Sequence, residues 1–273
     1  MTTVPTVALH TGTRMPQVGF GVFQVPDAET TAAVATALEA GYRSIDTAAV
    51  YGNEAGTGRA IAAAGLPRDE LFVTSKLWVA DLEHPREAYL RTLDRLGLER
   101  LDLYLIHWPA PGLDRYVHAW AELAAMREEG IVREVGVSNF QPEHLDRVVR
   151  ETGVTPVVNQ VELHPGLQQR ELRAHHERLG VVTEAWSPLA QGAVLDDPAI
   201  TGIAARHGVS PAQVVLRWHL QRGTVVIPKS VTPARIRSNL DLLGFALDDA
   251  ELAAVDALDR GLRTGPHPDR FDG

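Results

Sequence analysis

The chain has 273 residues, of which 45% are hydrophobic and 22% are charged, and its formal net charge is -9 at pH 7. This composition is typical of a soluble globular protein, and the acidic balance argues against a nucleic-acid-binding protein, which needs a basic surface. Cysteine is absent, which excludes disulfides and thiolate chemistry. We expect no metal site, because His175 and His176 have no third ligand at metal spacing. No apolar run is long enough to span a bilayer and the first residues do not resemble a signal peptide, so we expect a cytoplasmic protein that binds no membrane.

Short apolar runs alternate with longer amphipathic segments along the chain. The first 17 residues predict a hairpin whose turn lies at 10–13. After the hairpin, eight apolar runs rich in Val, Ile and Leu predict strands that are buried on both faces. In chain order these runs are residues 18–20, 42–45, 71–75, 101–106, 132–137, 156–159, 181–185 and 225–227.

Helical patterns separate the predicted strands. They cover residues 30–40, 54–64, 85–96, 115–129, 142–150, 168–179, 198–207, 211–221, 233–242 and 248–258. Eight strands alternating with eight helices over about 250 residues predict a parallel (β/α)8 barrel, the TIM barrel of the α/β class. The hairpin is expected to close the base of this barrel, and 198–207 and 248–258 are extra helices. We expect a single domain over residues 1–273, and a doubly wound open sheet is the alternative fold.

Polar and aromatic residues follow the predicted strands at their C-terminal ends, where the chemistry of such barrels lies. They are Asp46, Lys76, His107, Trp108, Ser138, Asn139, Gln160, Trp186, Ser187, Lys229 and Ser230. Of the 26 basic residues only two are lysine, and both lysines belong to this set. Chance placement of the two lysines is therefore a poor explanation.

Tyr51 follows Asp46 on the same predicted loop and is a candidate proton donor. A free phenol has a pKa of about 10 and is a weak acid at neutral pH. We expect the Lys76 ammonium to lower the pKa of Tyr51 and Asp46 to pair with that ammonium. With His107 orienting a substrate oxygen, these residues predict proton donation to a carbonyl oxygen that becomes an alkoxide.

Each of these residues also has a purely structural explanation. Asp46 could cap a helix, Tyr51 could pack in a loop, Lys76 could be a surface charge and His107 could be a buried core histidine. Their occurrence together at neighbouring strand ends favours the functional explanation.

Six segments resemble the aldo-keto reductase family and occur in the order of that family. They are GYRSIDTAAVYGNE (41–54), VTSKLW (73–78), LIHWP (105–109), GVSNF (136–140), NQVELHP (159–165) and IPKS (227–230). Within the family, the chain is most similar to bacterial 2,5-diketo-D-gluconate reductase-type members, through GVFQVP, YVHAWAEL, QVELHPGLQQREL and VVLRWHLQRG. The resemblance covers almost the whole chain and implies the same barrel.

The resemblance implies a catalytic tetrad of Asp46, Tyr51, Lys76 and His107, in which Tyr51 is the acid. It implies NADPH as the cofactor, bound across the barrel rim without a Rossmann fold, with its nicotinamide stacked on Trp186. The cofactor-binding residues that it implies are Gly21, Val22, Ser138, Asn139, Gln160, Trp186, Ser187, Leu189, Gln191, Lys229, Ser230, Arg235 and Asn239. The substrate-binding residues that it implies are Phe23, Trp78, His107 and Trp108.

Within that set the resemblance assigns separate parts of the cofactor. Ser138, Asn139 and Gln160 would bind the nicotinamide carboxamide. Ser187, Leu189 and Gln191 would run beside the pyrophosphate. The adenosine 2′-phosphate would be held by Lys229, Ser230 and Arg235. Thr232 stands where family members often carry another basic residue, so we expect a moderate preference for NADPH, with NADH as the weaker cofactor.

The function that these observations favour is NADPH-dependent reduction of aldehyde and ketone carbonyls to alcohols, on diketo sugar acids or similar small compounds. One alternative is a Schiff-base aldolase on the same barrel with Lys76 or Lys229 as the nucleophile. The other is a non-catalytic NADPH-binding regulatory protein. We expect a monomer whose partner is a small carbonyl substrate. The connections at 110–115 and 261–273 are short, which predicts an open and tolerant substrate pocket.

Overall fold

The computed structural model describes residues 4–273. At its N-terminal end, strand β1 (Thr6–Ala8) pairs antiparallel with β2 (Arg14–Pro16), and the Leu9 amide donates to the carbonyl oxygen of Thr13 across the turn at 2.8 Å. Leu9 and Met15 are buried in an apolar cluster with residues from the first halves of the barrel strands. The predicted hairpin, its turn and its place at the base of the barrel are therefore confirmed over residues 4–17, and the first three residues of the prediction lie outside the described residues.

Eight parallel strands within residues 4–273 form the wall of the barrel. They are β3 (Phe20–Gly21), β4 (Ser44–Asp46), β5 (Phe72–Leu77), β6 (Leu103–Ile106), β7 (Glu134–Ser138), β8 (Val158–Glu162), β9 (Val182–Trp186) and β10 (Val225–Val226). Each strand pairs with the next in chain order. Backbone hydrogen bonds of Val226 with Gln17 and Gly19 join β10 to the chain just before β3. This closure confirms the (β/α)8 barrel and rules out the open doubly wound sheet.

The strands are connected by helices that cover the outside of the barrel. The helices are α1 (Asp27–Ala40), α2 (Glu54–Ala63), α3 (Pro85–Leu96), α4 (Tyr116–Glu128), α5 (Pro142–Thr152), α6 (Arg170–Leu179), α7 (Pro198–His207), α8 (Pro211–Gln221), α9 (Pro233–Ser238) and α10 (Asp249–Asp256). The two extra helices predicted from the sequence are α7 and α10. Helix α9 ends four residues before the predicted end at 242, because the chain turns there to bury Leu242 in the core. Within the described part of the chain, no helix is long and apolar enough to cross a membrane.

Several strands extend further than their apolar runs. Strand β5 continues through Lys76 to Leu77, and β8 continues through Gln160 to Glu162. Lys76 and Gln160 are therefore strand residues, not the first loop residues that the sequence predicted. Polar side chains are tolerated there because the C-terminal half of the barrel interior holds buried polar groups that bind one another. This polar half is the candidate site.

Candidate active site

Lys76 is buried inside the barrel in contact with Asp46. Its Nζ donates to Asp46 Oδ1 at 2.6 Å and to the carbonyl oxygen of Thr47 at 2.9 Å, and the lysine side chain is 0% exposed. Strand pairing places Asp46 opposite Thr74, and Lys76 lies two residues further along β5 on the same face. Burial lowers the pKa of Lys76, but opposing interactions, of which the charge of Asp46 is the largest, outweigh burial and raise the pKa overall. The ammonium is therefore charged at neutral pH.

Tyr51 lies beside this ammonium, at the end of a short helical turn over Ala49–Tyr51. The Lys76 Nζ is 5.1 Å from the centroid of the tyrosine ring. Burial raises the pKa of the Tyr51 phenol, and the charge of Lys76 only partly opposes this effect. The expected lowering of the Tyr51 pKa is therefore wrong in direction, because loss of solvation outweighs the neighbouring cation. The phenol keeps its proton at neutral pH, which is the form that a proton donor needs.

His107 follows β6 directly and faces the same space. Its ring centroid is 5.6 Å from that of Tyr51, in an edge-on arrangement. Burial, together with the charge of Lys76, holds the pKa of His107 well below its ordinary value. The imidazole is therefore neutral and can donate one hydrogen bond to a substrate oxygen. The structure thus brings the four predicted catalytic residues together.

Aromatic side chains wall the space in front of Tyr51 and His107. The Phe23 ring is 5.0 Å from that of Tyr51 and is half exposed at the mouth. The Trp78 ring lies 5.2 Å from His107, centroid to centroid. These positions fit the predicted substrate-binding role of Phe23 and Trp78.

The C-terminal segment supplies a further wall residue that the sequence did not single out. The Phe271 ring lies 4.4 Å from Trp108 and 6.1 Å from Trp78, centroid to centroid. Asp272 holds this segment in place, because its Oδ1 accepts a hydrogen bond from the Gly112 amide at 2.8 Å. The two short connections therefore touch each other, and Phe271 forms one side of the pocket against Trp78 and Trp108, while the openness of the whole pocket stays a prediction. A lone aromatic residue near the end of a tail was the available signal.

Trp186 is the aromatic platform at the end of β9. Its indole Nε1 donates to Asn139 Oδ1 at 2.8 Å, and the Asn139 amide nitrogen donates to the carbonyl oxygen of His107 at 3.0 Å. A Cβ placed on Gly265 would lie 2.6 Å from Cη2 of Trp186, so the C-terminal segment passes directly against the indole. Glu162 anchors that segment, since its Oε1 accepts a hydrogen bond from the Thr264 hydroxyl at 2.6 Å. The ring is thus fixed at its nitrogen and supported at its edge.

Gln160 lies between two carboxylates inside the barrel. Its Nε2 donates to Asp46 Oδ2 at 2.8 Å and to Glu184 Oε2 at 2.9 Å. Ser138 Oγ donates to the backbone carbonyl oxygen of Gln160 at 2.7 Å. Glu184 was not predicted as a site residue. The available signal was a charged residue within the apolar run VVTEAW, two residues before Trp186 and therefore on the same face of the strand.

The remaining predicted cofactor residues lie along the rim. Gly21 and Val22 are buried at the end of β3, and a Cβ on Gly21 would lie 2.8 Å from the carbonyl oxygen of Ile227. After β9, Ser187 and Gln191 both have left-handed backbone conformations, with φ of 47° and 54°. Such conformations cost energy in non-glycine residues and are common in binding loops.

The predicted phosphate-binding residues lie at and beyond the end of β10. Lys229 and Arg235 are exposed, and neither forms a salt bridge with any of residues 4–273. The hydroxyl of Ser230 accepts a hydrogen bond from the Thr232 amide at 3.1 Å. Asn239 is buried directly after α9, whereas Leu189 is partly buried in the loop that follows β9.

Comparisons with known proteins agree with this architecture. Residues 12–260 match the Aldo/keto reductase family. The chain is 52% identical over 272 residues to methylglyoxal reductase DkgA of Escherichia coli (strain K12), covering 98% of this chain and 99% of the relative. It is 52% identical over 270 residues to an aldo-keto reductase of Mycolicibacterium smegmatis, covering 98% of each. A crystal structure of a Gox0644 variant in complex with NADPH has a TM-score of 0.95 and 45% identity, covering 99% of both chains.

Proposed function

This chain belongs to the aldo/keto reductase family, and we propose that it is an NADPH-dependent reductase of small aldehydes and ketones. The observation that carries the proposal is the buried contact of Lys76 with Asp46 beside the Tyr51 phenol, next to an aromatic pocket. NADPH, when bound, supplies the hydride for the carbonyl carbon. The side chains of the protein supply the proton and the orientation.

Tyr51 donates its phenolic proton to the carbonyl oxygen as negative charge develops there. The neighbouring ammonium of Lys76 stabilises the phenolate that remains, and Asp46 holds the ammonium in place. His107 is neutral and donates a hydrogen bond to the same substrate oxygen, which fixes the carbonyl group in the pocket. General acid catalysis of this kind contributes about 100- to 10,000-fold to a rate.

The rim residues fit NADPH. The carboxamide oxygen of Gln160 accepts no hydrogen bond within residues 4–273, so it is free to accept one from the nicotinamide amide group. The Trp186 indole is held at a fixed position by Asn139, as a stacking surface requires. Exposed Lys229 and Arg235 have no carboxylate partner among the described residues and are suited to the 2′-phosphate.

The geometry at Lys76 argues against a Schiff-base aldolase. A nucleophilic amine must lose its proton, yet the charge of Asp46 opposes the effect of burial and the pKa of Lys76 is raised. Its Nζ also makes two hydrogen bonds already. A non-catalytic regulatory protein would have no need of the complete set of Asp46, Tyr51, Lys76 and His107. The arrangement therefore favours reduction over both alternatives.

Small carbonyl compounds suit the pocket, because Phe271 closes its side against Trp78 and Trp108. Methylglyoxal is the first compound to assay, since DkgA relatives are named for its reduction, and diketo sugar acids follow. The test measures loss of NADPH absorbance with each compound. Turnover of at least one small dicarbonyl is expected, and no turnover across a broad aldehyde and ketone panel would contradict the proposal.

That the protein works as a monomer in the cytoplasm also stays a proposal, and light scattering tests the oligomeric state.

A further inference from the structure

Glu184 is a buried titratable group that the proposed reaction does not use. It lies on β9 directly opposite Gln160 on β8, and it has no exposed surface. Its Oε2 accepts the hydrogen bond from Gln160 Nε2, whereas its Oε1 has no hydrogen-bond partner among residues 4–273. An ionised carboxyl group would be costly in this position, because a buried charge without a partner is unfavourable.

The amide group of Gln160 is oriented by the two carboxyl groups that share it. An amide nitrogen carries two hydrogens, and here Asp46 Oδ2 and Glu184 Oε2 accept from it at 2.8 and 2.9 Å. An amide oxygen in the same place would be repelled by the Asp46 carboxylate, and Glu184 Oε2 would lose the hydrogen that it accepts. The carboxamide oxygen of Gln160 must therefore point away from Asp46 and Glu184.

The charges around Glu184 do not balance if it is ionised. The charged and titratable groups that face it are Asp46 on β4, Lys76 on β5 and the phenol of Tyr51, and Asp46 already takes the direct contact with Lys76. Burial and the charge of Asp46 raise the pKa of Glu184 to about 8, against the opposing effects of Gln160 and Lys76. We therefore expect Glu184 to hold a proton at neutral pH. Oε1 is the oxygen that would carry this proton, because Oε2 accepts from Gln160.

We propose that protonated Glu184 is the positioning residue of this site. It fixes the Gln160 carboxamide so that the carboxamide oxygen is free for the nicotinamide amide group. As a neutral group it also adds no second negative charge beside the Asp46–Lys76 pair. The cofactor part of this inference rests on the proposed function. The protonation part does not, because it concerns only groups of the protein.

The protonation state is tested by NMR on protein labelled with ¹³C at the glutamate side-chain carboxyl carbons, without added cofactor. The Glu184 signal is the one that disappears in Glu184→Gln. Glu134→Gln is the matched control, because Glu134 is also buried but lies at the opposite end of the barrel, bound to Thr11 and Thr13. We expect the Glu184 signal to titrate near pH 8 in wild type and in the control. A midpoint near the ordinary value of about 4.3 would overturn the proposal.

The positioning role is tested by ligand affinity, measured through tryptophan fluorescence. Glu184→Leu removes the acceptor for Gln160 and is expected to weaken NADPH binding by about 10-fold. Binding of adenosine 2′,5′-bisphosphate, which has no nicotinamide, should stay as in wild type. Glu184→Gln keeps a neutral acceptor and should retain NADPH affinity, as should Glu134→Gln. Unchanged NADPH affinity in Glu184→Leu, or an equal loss for both ligands, would overturn the role.

The two measurements separate this inference from the proposed function. A wild-type protein that bound neither NADPH nor its adenosine fragment would contradict the proposed function. The NMR titration would still decide whether Glu184 holds a proton. The NMR titration would also decide the protonation state of Glu184 if Glu184→Leu failed to fold, since the wild-type signal can be assigned from Glu184→Gln alone.

Discussion

Lys76 donates from Nζ to Asp46 Oδ1 over 2.6 Å inside the barrel, where the lysine side chain has no exposed surface. A buried ion pair of this kind is costly to break, at about 3–5 kcal/mol, because the remaining charge loses its partner. The pair therefore fixes a cation at one position, 5.1 Å from the centre of the Tyr51 ring. The chemistry that we propose depends on that position.

Lys76→Arg is expected to lose activity as severely as Lys76→Met. The planar guanidinium is too large for the fully buried space of the ammonium and cannot occupy the same point beside Tyr51. Carbonyl reduction should fall by about 100-fold or more in both variants. Circular dichroism of each variant checks that the barrel is intact. A folded Lys76→Arg protein with most of the wild-type activity would show that a general positive charge is sufficient.

Gly265→Ala is expected to disturb the Trp186 indole, on which the nicotinamide is proposed to stack. The added Cβ would lie 2.6 Å from Trp186 Cη2, so the indole or the C-terminal segment must move. Stacking of a heteroaromatic ring on an aromatic side chain contributes about 1–3 kcal/mol, so we expect NADPH binding to weaken by about 5-fold or more. Gly244→Ala is the matched control, because a Cβ there meets no atom within 4 Å. Equal NADPH affinity in the two variants would contradict the role of Gly265.

Arg235→Ala tests the choice between NADPH and NADH. Arg235 is exposed on α9 without a salt bridge to any described residue, so its guanidinium is free for the 2′-phosphate. Loss of one charge-assisted contact costs about 1.5–3 kcal/mol, which predicts NADPH binding weaker by about 10-fold or more and NADH binding nearly unchanged. Arg237→Ala, an exposed arginine on the same helix, serves as the control. Equal losses for the two cofactors would mean that Arg235 supports the loop and does not bind the phosphate.

Buried histidines are expected to make the protein sensitive to acid. Burial lowers the pKa of His219 to about 3, whereas an unfolded histidine titrates near 6.5. Between these values the unfolded chain binds more protons than the folded chain, so stability falls as pH decreases below about 6.5. Each such histidine contributes a loss of about 1.4 kcal/mol per pH unit.

His219→Gln isolates one of these contributions. Glutamine can still donate to the Pro188 carbonyl oxygen, as His219 Nε2 does at 3.1 Å, but it cannot be protonated. The free energy of unfolding, measured with urea, should decrease between pH 6 and pH 5 by about 1 kcal/mol less than it does in wild type. His118→Gln at an exposed position should leave the difference between the two pH values as in wild type. An unchanged difference in His219→Gln would contradict the buried neutral histidine.

The barrel could be predicted from the sequence because its strands are buried on both faces and its helices show one apolar side. These patterns gave every strand and helix, with errors mainly at the ends. Strand β5 was predicted to stop before Lys76 and β8 before Gln160, since apolar runs end at the first polar residue. In the structure Lys76 and Gln160 continue these strands, and each has hydrogen-bond partners inside the barrel.

Contacts between distant segments were the part that the sequence could not show. Phe271 reaches Trp108 from the far end of the chain, and nothing in its local pattern indicates where the tail lies. Glu184 is buried beside Gln160 only because two strands pair at that register. The direction of the Tyr51 pKa shift depends on its burial against the charge of Lys76, and burial can be judged only in the folded protein.

Tyr51→Phe is the most direct test of the central claim, that the Tyr51 phenol protonates the carbonyl oxygen. The substitution keeps the ring, and with it the contacts to Phe23 and His107, and removes only the proton donor. The measurement is the rate of NADPH oxidation with a small dicarbonyl substrate, together with the NADPH dissociation constant. We predict a rate lower by about 100-fold or more with cofactor affinity close to that of wild type. Turnover near the wild-type rate would contradict the account.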